Sequence, residues 1–367
     1  MTKFALLAPL ALCPLILGQG PSSMTPYRVQ PDRSVTFRIA APHATEVKLD
    51  ADFLTEPQAM WKNAEGVWSA EVGPLAPAIY AYAYLVDGVR TADPNTPYTL
   101  PGIPGASSFI EVRGAEPAFY DPKPVPHGVV HMAWYQSQAI GGARRVYVYT
   151  PPGYEAAATR YPVLYLLHGV GDIESSWVDV GHANLILDNL IAEKKARPMI
   201  VVMPFGHARA QVAVAQPPFQ LNDTELFQQD LIESVIPLIE STYRAAPGAE
   251  NRAIAGLSMG GAQAADIGLS RLDLFRWIGA FSPSLFASED WDAVFAKILP
   301  DPEAANRKLK LLWISCGKSD ELMGNSKRLD AALTKHGIHH AYRTTEGAHT
   351  WRVWIDALHD FAPLLFQ

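Results

Sequence analysis

From Arg28 to Glu111 the apolar positions fall on alternate residues. SVTFRIAA, EVKLD, GVWSAEV, AIYAYAYLVDG and SSFIEVR each switch between polar and apolar or aromatic side chains, with Pro, Gly and Asp between them. A period of two describes strands that bury one face, and the intervening turn residues mark the bends between them. No run with a helical period interrupts this stretch, so it predicts a small β-sandwich of immunoglobulin-like size. The next segment, AEPAFYDPKPVPHG, carries four prolines and little alternation. It predicts a stiff connector.

Beyond Gly128 the rhythm changes. RRVYVYTPPGY and YPVLYLLHG read as strands, ANLILDNLIAEKKA has a helical period, and MIVVMPFG is a buried apolar strand followed by a loop. LFQQDLIESVIPLIESTY is again helical, NRAIAGLSMGG returns to a strand and turn, and KLLWISCG followed by SKRLDAALTKHG repeats the unit. HHAYRTT predicts one more strand, and RVWIDALHDFAPLLF a last helix. Strands separated by helices imply a mainly parallel sheet covered on both faces, with its ligand crevice beyond the carboxyl ends of the strands.

Length agrees with two units: 367 residues are many for one core. The expected division is a leader over residues 1–22, a β-sandwich over 23–115, a Pro-rich linker over 116–128 and an α/β unit over 129–367. The leader rests on MTKFALLAPLALCPLILGQG, a Lys and then an apolar run too short and too Pro-broken to span a membrane. It implies a secreted or periplasmic protein, cleaved between about Gly18 and Ser23. Once Cys13 is removed only Cys316 remains, so no disulfide can form within the chain. Hydrophobic residues make up 49% and charged ones 18%, which excludes a disordered chain, and a formal charge of -7 without any Lys/Arg run gives no footprint for nucleic acid.

The strand ends carry the chemistry. Gly256-Leu257-Ser258-Met259-Gly260 is a G-x-S-x-G pattern between the apolar AIA and a segment able to start a helix. Small residues two before and two after the serine suit a sharp strand-to-helix turn, where side chains would collide. The hydroxyl then projects above the sheet, and the following amide points at a developing oxyanion. A glycine turn that only lets a helix pack on a sheet is the structural alternative. As a nucleophile Ser258 needs a base and an acid, in the chain order Ser, acid, His. Of His336, His339, His340, His349 and His359, the base candidate is His349, in the loop-like EGAHTWRVW. The acid candidate is Asp320, in the turn after KLLWISCG, with the adjacent Glu321 as its substitute.

YPVLYLLHGVGD supplies further backbone donors near Gly169 and Val170, and His168 is expected to order that loop through a hydrogen bond. His207 and the loop HARAQVAVAQPPFQLNDTE read as a pocket wall. Trp177 and Trp351 fall near the same elements as candidate substrate contacts, although an aromatic at a strand or helix face usually belongs to the core. No ligand spacing calls for a metal and no glycine pattern for a nucleotide, so no cofactor is expected.

GLSMGG, YPVLYLLHGVGD, DNLIAEKKARPMIVVMPFG and GAHTWRVWIDALHDFAPLLF together resemble carbohydrate esterase family 1, the feruloyl and acetylxylan esterases, and the enterochelin esterase-like enzymes, over about Val129 to Gln367. The resemblance implies an α/β-hydrolase fold with Ser258 as nucleophile, Asp320 as acid and His349 as base, and oxyanion amides at Met259 and Val170. VTFRIAAPHATEVKLDADF, GVWSAEVGPLAPAIYAYAYLVDG and DPNTPY resemble early-set domains related to glycogen-binding modules, and imply a front unit that packs against the hydrolase or shapes its cleft, with glucan binding as the alternative. On this resemblance the expected activity is hydrolysis of feruloyl esters of plant xylan or arabinoxylan. Acetyl esters and siderophore esters are the alternatives within the class, and a carbohydrate-binding scaffold without catalysis the one outside it. The expected partner is a feruloylated or acetylated plant polysaccharide or oligosaccharide, with no nucleic acid and no membrane span; the sequence leaves the oligomeric state open.

Overall fold

The computed structural model describes residues 24–102, 105–208, 223–284 and 300–367. The expected leader and most of the loop after His207 lie outside these residues.

The front of the chain forms β1 (Tyr27–Val29), β2 (Val35–Ala40), β3 (Val47–Ala51), β4 (Gln58–Ala59), β5 (Trp61–Lys62), β6 (Val67–Val72), β7 (Ala78–Val86), β8 (Val89–Thr91), β9 (Thr99–Leu100) and β10 (Ser107–Val112). They pair antiparallel in two sheets, of order β1-β2-β6-β5 and β4-β3-β7-β10-β9, with β8 also on β7. Alternation places the core: Val35, Phe37 and Ile39 of β2 turn inward against Val47, Leu49, Tyr82, Tyr84 and Ile110. Tyr82 and Tyr84 both donate to the buried Asp93 carboxylate, at 2.9 and 3.2 Å. On β7 the alternation breaks down, because Ala78 to Tyr84 are buried or half-buried on both faces. One face packs in the sandwich, and the other lies on the helix Trp351–Phe361 at the far end of the chain.

The connector is not a free spacer. Asn189 Nδ2 donates to the carbonyls of Phe119 and Asp121 at 2.7 and 2.9 Å, and Tyr120 is buried. Ile79 and Leu100 of the sandwich join Tyr120, Ile186, Leu190, Trp354 and Leu358 in one apolar cluster. The seam between front and back is thus packed core.

The remaining strands, β11 (Val129–Ser137), β12 (Gly142–Thr150), β13 (Val163–Leu167), β14 (Ile200–Pro204), β15 (Arg252–Leu257), β16 (Trp277–Phe281), β17 (Leu311–Gly317) and β18 (Ala341–Thr345), form one sheet. Its order is β11-β12-β14-β13-β15-β16-β17-β18. β12 pairs antiparallel with both β11 and β14, and the neighbours from β14 to β18 are all parallel. Leu167 stands beside Gly256 in the register, so the carboxyl ends of β13 and β15 are level. β11 and β16 are additions to the sequence reading. β11 is an edge strand that exposes Met132 and Trp134 and so lacks a clean polar face; β16 is five buried residues, a run too short for periodicity to type. The helical stretch before Tyr243 contains a π turn over Leu231–Val235 just ahead of Pro237, whose missing N–H interrupts the normal ladder. Among the described residues no helix is long and apolar enough to cross a membrane.

One ion pair lies wholly inside this unit. Arg144 and Asp230 are fully buried with Nε and Oδ2 at 3.2 Å, and Tyr135 donates to the same carboxylate at 2.7 Å. Asp230→Ala is expected to cost about 3–5 kcal/mol in urea unfolding, because it strands a buried guanidinium; a loss below about 1 kcal/mol would show that the pair is dispensable.

Candidate active site

All six residues of β15 are buried, and the helix Met259–Ser270 begins immediately after it. Ser258 makes the turn between them with φ 51° and ψ −116°, a conformation that costs a non-glycine residue ~1–3 kcal/mol. Hydrogen bonds hold it there: its amide donates to Phe281 O at 2.8 Å, and its carbonyl accepts from Ala262 at 3.0 Å and Ser284 at 3.1 Å. The turn also needs glycine beside it. A Cβ on Gly260 would lie 2.5 Å from His168 O and 2.7 Å from Leu167 O, so the helix start is pressed against the end of β13.

Asp320 and His349 arrive on two loops that are themselves pressed together. Lys318 N donates to Thr345 O at 2.8 Å, Ser319 N to Gly347 O at 2.9 Å, and a Cβ on Gly317 would sit 2.4 Å from Gly347 O. This contact brings the His349 Nδ1 to 3.0 Å from both Asp320 carboxylate oxygens, while its Nε2 stands 3.0 Å from Ser258 Oγ. The imidazole rests edge-on against Trp354, with ring centroids 4.9 Å apart. Burial acts to raise the Asp320 carboxyl, but hydrogen bonds led by His349 and including the Leu322 amide hold it below its ordinary value. A carboxylate that stays ionised and fixes the imidazole's Nδ1–H directs the lone pair of Nε2 at the serine hydroxyl.

The other candidates for these roles lie elsewhere. Glu321 is exposed, His340 pairs with Asp330 at 2.9 Å, and His359 stacks on Phe119 with ring centroids 4.1 Å apart. His339 is exposed and its amide is held by Asn306.

The loop after β13 faces the serine. A Cβ built on Gly169 would come within 3.4 Å of Ser258 Cβ. Among the described residues neither the Val170 nor the Met259 amide is paired with a protein acceptor, which leaves both free to donate to an oxyanion. The loop is supported from beneath by two histidines. His168 accepts the Gly206 amide on Nε2 and donates from Nδ1 to Gly169 O, both at 2.9 Å. His207 hydrogen bonds toward the backbone of Gly169 and Asp172. Burial, followed by the neighbouring His207 and Arg144 charges, pushes His168 down to about 3; burial and then Arg144 push His207 down to about 4. Both are therefore neutral from about pH 5 upward.

Three sequence-based assignments need correction. Trp177 is 1% exposed: its indole N–H donates to Leu167 O at 3.0 Å and its ring meets Trp351 at 5.2 Å. Trp351 is buried too, so both tryptophans are core that fixes the loops, with no face open to a substrate. His207 is buried and supports the oxyanion-side loop from within. Asp223 and Glu225, which end the stretch read as a pocket wall, lie at the start of a helix, and the loop before them falls outside the described residues. Among the described residues no group of three or more His, Cys, Asp or Glu gathers at ligating distance.

Asp172 is the residue the sequence reading passed over. Its carboxylate accepts the Gly169 amide at 3.2 Å and its own amide donates to Gly169 O at 3.2 Å, so it closes the turn that presents Val170. The signal was present in the Gly-x-x-Asp spacing of GVGD, which suits a side chain that caps its own turn. Burial pushes its carboxyl up to about 7, against the Gly169 hydrogen bond and the attraction of His349.

The matches to known proteins agree with this geometry. A family model described as "Putative esterase" matches residues 137–365. The chain is 32% identical over 339 residues to an endo-1,4-beta-xylanase/feruloyl esterase of Xylanibacter ruminicola, covering 90% of this chain and 44% of that protein. It is 36% identical over 133 residues to an esterase of Mycobacterium tuberculosis, covering 35% and 27%. The chain thus spans less than half the length of these curated relatives. A ferulic acid esterase from Anaeromyces mucronatus superposes with a TM-score of 0.60 at 28% identity, over 68% of this chain and 96% of that one. The enterobactin esterase of Shigella flexneri superposes with a TM-score of 0.69 at 17% identity, over 89% and 92%, a likeness of fold alone. The fold is the α/β hydrolase that the sequence implied, preceded by a region of antiparallel sheets.

Between about pH 4 and 7 native Asp172 keeps a proton that an unfolded aspartate, with its pKa of about 3.9, has lost. The native state then binds more protons than the unfolded one, so this group lowers stability as pH rises through that window. Asp172→Asn is expected to flatten that decline, read as urea midpoints from pH 4.5 to 8; parallel curves for the two proteins would show that the carboxyl titrates normally.

Proposed function

The chain belongs to the esterase family whose model spans residues 137–365, and from that premise we propose that it is a serine carboxylesterase that cuts hydroxycinnamoyl esters, such as feruloyl esters, of plant xylan or arabinoxylan. The observation that carries this reading is the unbroken relay from Asp320 through His349 to Ser258, with each contact at 3.0 Å. The feruloyl group and the xylan come from the names of the relatives, which include a xylanase/feruloyl esterase.

In this reading Ser258 Oγ attacks the ester carbonyl while His349 Nε2 takes its proton. Negative charge develops on the carbonyl oxygen, where the Met259 and Val170 amides donate to it. Collapse of the tetrahedral intermediate breaks the bond to the sugar oxygen, which leaves as an alcohol with the proton from His349. Water then attacks the acyl-serine, His349 accepts its proton and returns it to Ser258, and the free carboxylic acid departs. Asp320 stays ionised throughout, stabilises the imidazolium and keeps its orientation.

The buried neutral histidines fit this scheme because they fix the oxyanion-side loop without bringing a positive charge of their own next to His349. Export through the N-terminal leader and a glycogen-binding-module-like origin for the sandwich belong to the same proposal. They suit an enzyme whose substrate is an extracellular polymer.

Rates on methyl ferulate, p-nitrophenyl acetate, acetylated xylan and a feruloylated arabinoxylan oligosaccharide, run beside Ser258→Ala, test the reading. The two feruloyl substrates are expected to give the highest kcat/KM, and Ser258→Ala to lose roughly 10⁶-fold in kcat. Activity confined to the acetyl substrates would move the assignment to an acetyl esterase, and failure on all four would point to siderophore esters. Undiminished turnover by Ser258→Ala would remove the mechanism altogether.

A further inference from the structure

The outer edge of the large sheet leaves one face uncovered. Directly opposed residues of an antiparallel pair share a face, so Trp134 and Met132 of β11 stand beside Arg145 and Tyr147 of β12. Trp134 is 60% exposed and Met132 53%, and the half-buried Tyr147 continues this apolar shelf inward to the core.

Arg145 holds the ring in place. Its guanidinium lies 5.6 Å from the centre of the Trp134 ring, and its Nε donates to the buried Glu174 carboxylate at 2.6 Å. A cation against the ring and a carboxylate behind the cation fix the indole without leaving an uncancelled charge. Glu174 belongs to the loop after β13, two residues beyond Asp172, so the shelf is tied to the loop that presents Val170.

Strand register puts the shelf on the same rim as Ser258. Val146 pairs with Pro204, Tyr165 with Val202, and Leu167 with Gly256, which sets Val146, Pro204, Leu167 and Gly256 at one level. Trp134, opposite Arg145, stands one residue beyond that level toward the carboxyl ends of the parallel strands, and Ser258 two residues beyond it. Four strand spacings of ~4.8 Å separate β11 from β15, so the two positions lie about 19 Å apart across the sheet. That is beyond the reach of a single ester group and within the reach of a polymer that carries one.

The make-up of the shelf selects its ligand. An exposed indole face attracts the C–H bonds on the flat side of a sugar ring through its quadrupole, and with Arg145 neutralised by Glu174 the surface beside it favours a neutral ligand over an anionic one. A second copy of the chain is the other occupant that an edge strand invites. Two exposed side chains supply only about 250 Å2 for it, against the ~800 Å2 per partner of a stable interface.

We propose that this shelf, with the Trp134 ring as platform, is a second binding site for the neutral sugar backbone of the polysaccharide, separate from the site that cuts the ester. The inference rests on the reading of the chain as an esterase of plant xylan. It needs no groove running to Ser258: any stretch of the same polymer held at Trp134 keeps further esters at the catalytic rim.

Binding is read apart from catalysis, as dissociation constants for soluble arabinoxylan stripped of its esters. They are measured by affinity electrophoresis for the full chain, Trp134→Ala and Trp134→Phe, with kcat/KM on methyl ferulate, melting temperature and sedimentation mass alongside. Trp134→Ala is expected to weaken arabinoxylan binding about five- to tenfold, with Trp134→Phe retaining most of it and with methyl ferulate turnover and melting temperature unchanged. Equal affinity in wild type and Trp134→Ala, or no binding by wild type, overturns the platform. So does a sedimentation mass that is dimeric in wild type and monomeric in Trp134→Ala, which would give the shelf to a second copy. Trp134-dependent binding without turnover of any feruloyl substrate would leave the platform standing and remove the feruloyl reading, whereas feruloyl turnover without Trp134-dependent binding would remove the platform alone.

Discussion

The site depends on backbones that approach closer than any side chain allows. Gly260 lies against the carbonyls of Leu167 and His168, and Gly317 against that of Gly347. The first contact presses the Ser258 turn onto the loop that carries Val170; the second presses the acid loop onto the base loop. With these two approaches in place, the 3.0 Å contacts of His349 follow from short loops on level strands. A methyl group at Gly260 would force the serine turn away from the Val170 loop, and one at Gly317 would force the acid loop away from the base loop.

Around that frame the protein divides its ionisable groups by task. His349 is the imidazole left partly open to solvent, with 20% of its side chain exposed, whereas His168 and His207 are buried and kept neutral. The buried pair Arg144 and Asp230 anchors the strand end next to them, since Arg144 also donates to the carbonyls of Phe205 and His207. A rigid support whose imidazoles stay neutral keeps the oxyanion donors in place while His349 gains and loses its proton, which is the condition for preorganised electrostatic stabilisation.

Much of this was legible in the sequence because it is local. The G-x-S-x-G turn, the apolar runs that became β13, β15 and β17, and the loop position of His349 each declare themselves within about ten residues. The structure brings Ser258, Asp320 and His349 together as those positions suggest. What was not legible depends on contacts between distant segments. Trp177 and Trp351 read equally well as pocket or core until Trp177 is seen to bond Leu167 and meet Trp351 edge to face. His207 gives no sign in its own neighbourhood that it supports Gly169. β11 hid because an edge strand can expose Trp134 and Met132, and the role of Asp172 hid because a capping carboxylate resembles any loop aspartate.

The apolar cluster that joins Ile79, Leu100 and Tyr120 to Trp354 and Leu358 carries a consequence for modularity. Two beads on a string can be cut apart, exchanged or reordered, because each buries its own core. Here the face of β7 that would be the outer surface of the first bead is interior to the pair, and severing the chain at the prolines would expose that interior on both pieces. The heritable unit is the pair: recombination that swaps the front must also carry a matching last helix, so sandwich and hydrolase are expected to diverge together rather than shuffle independently.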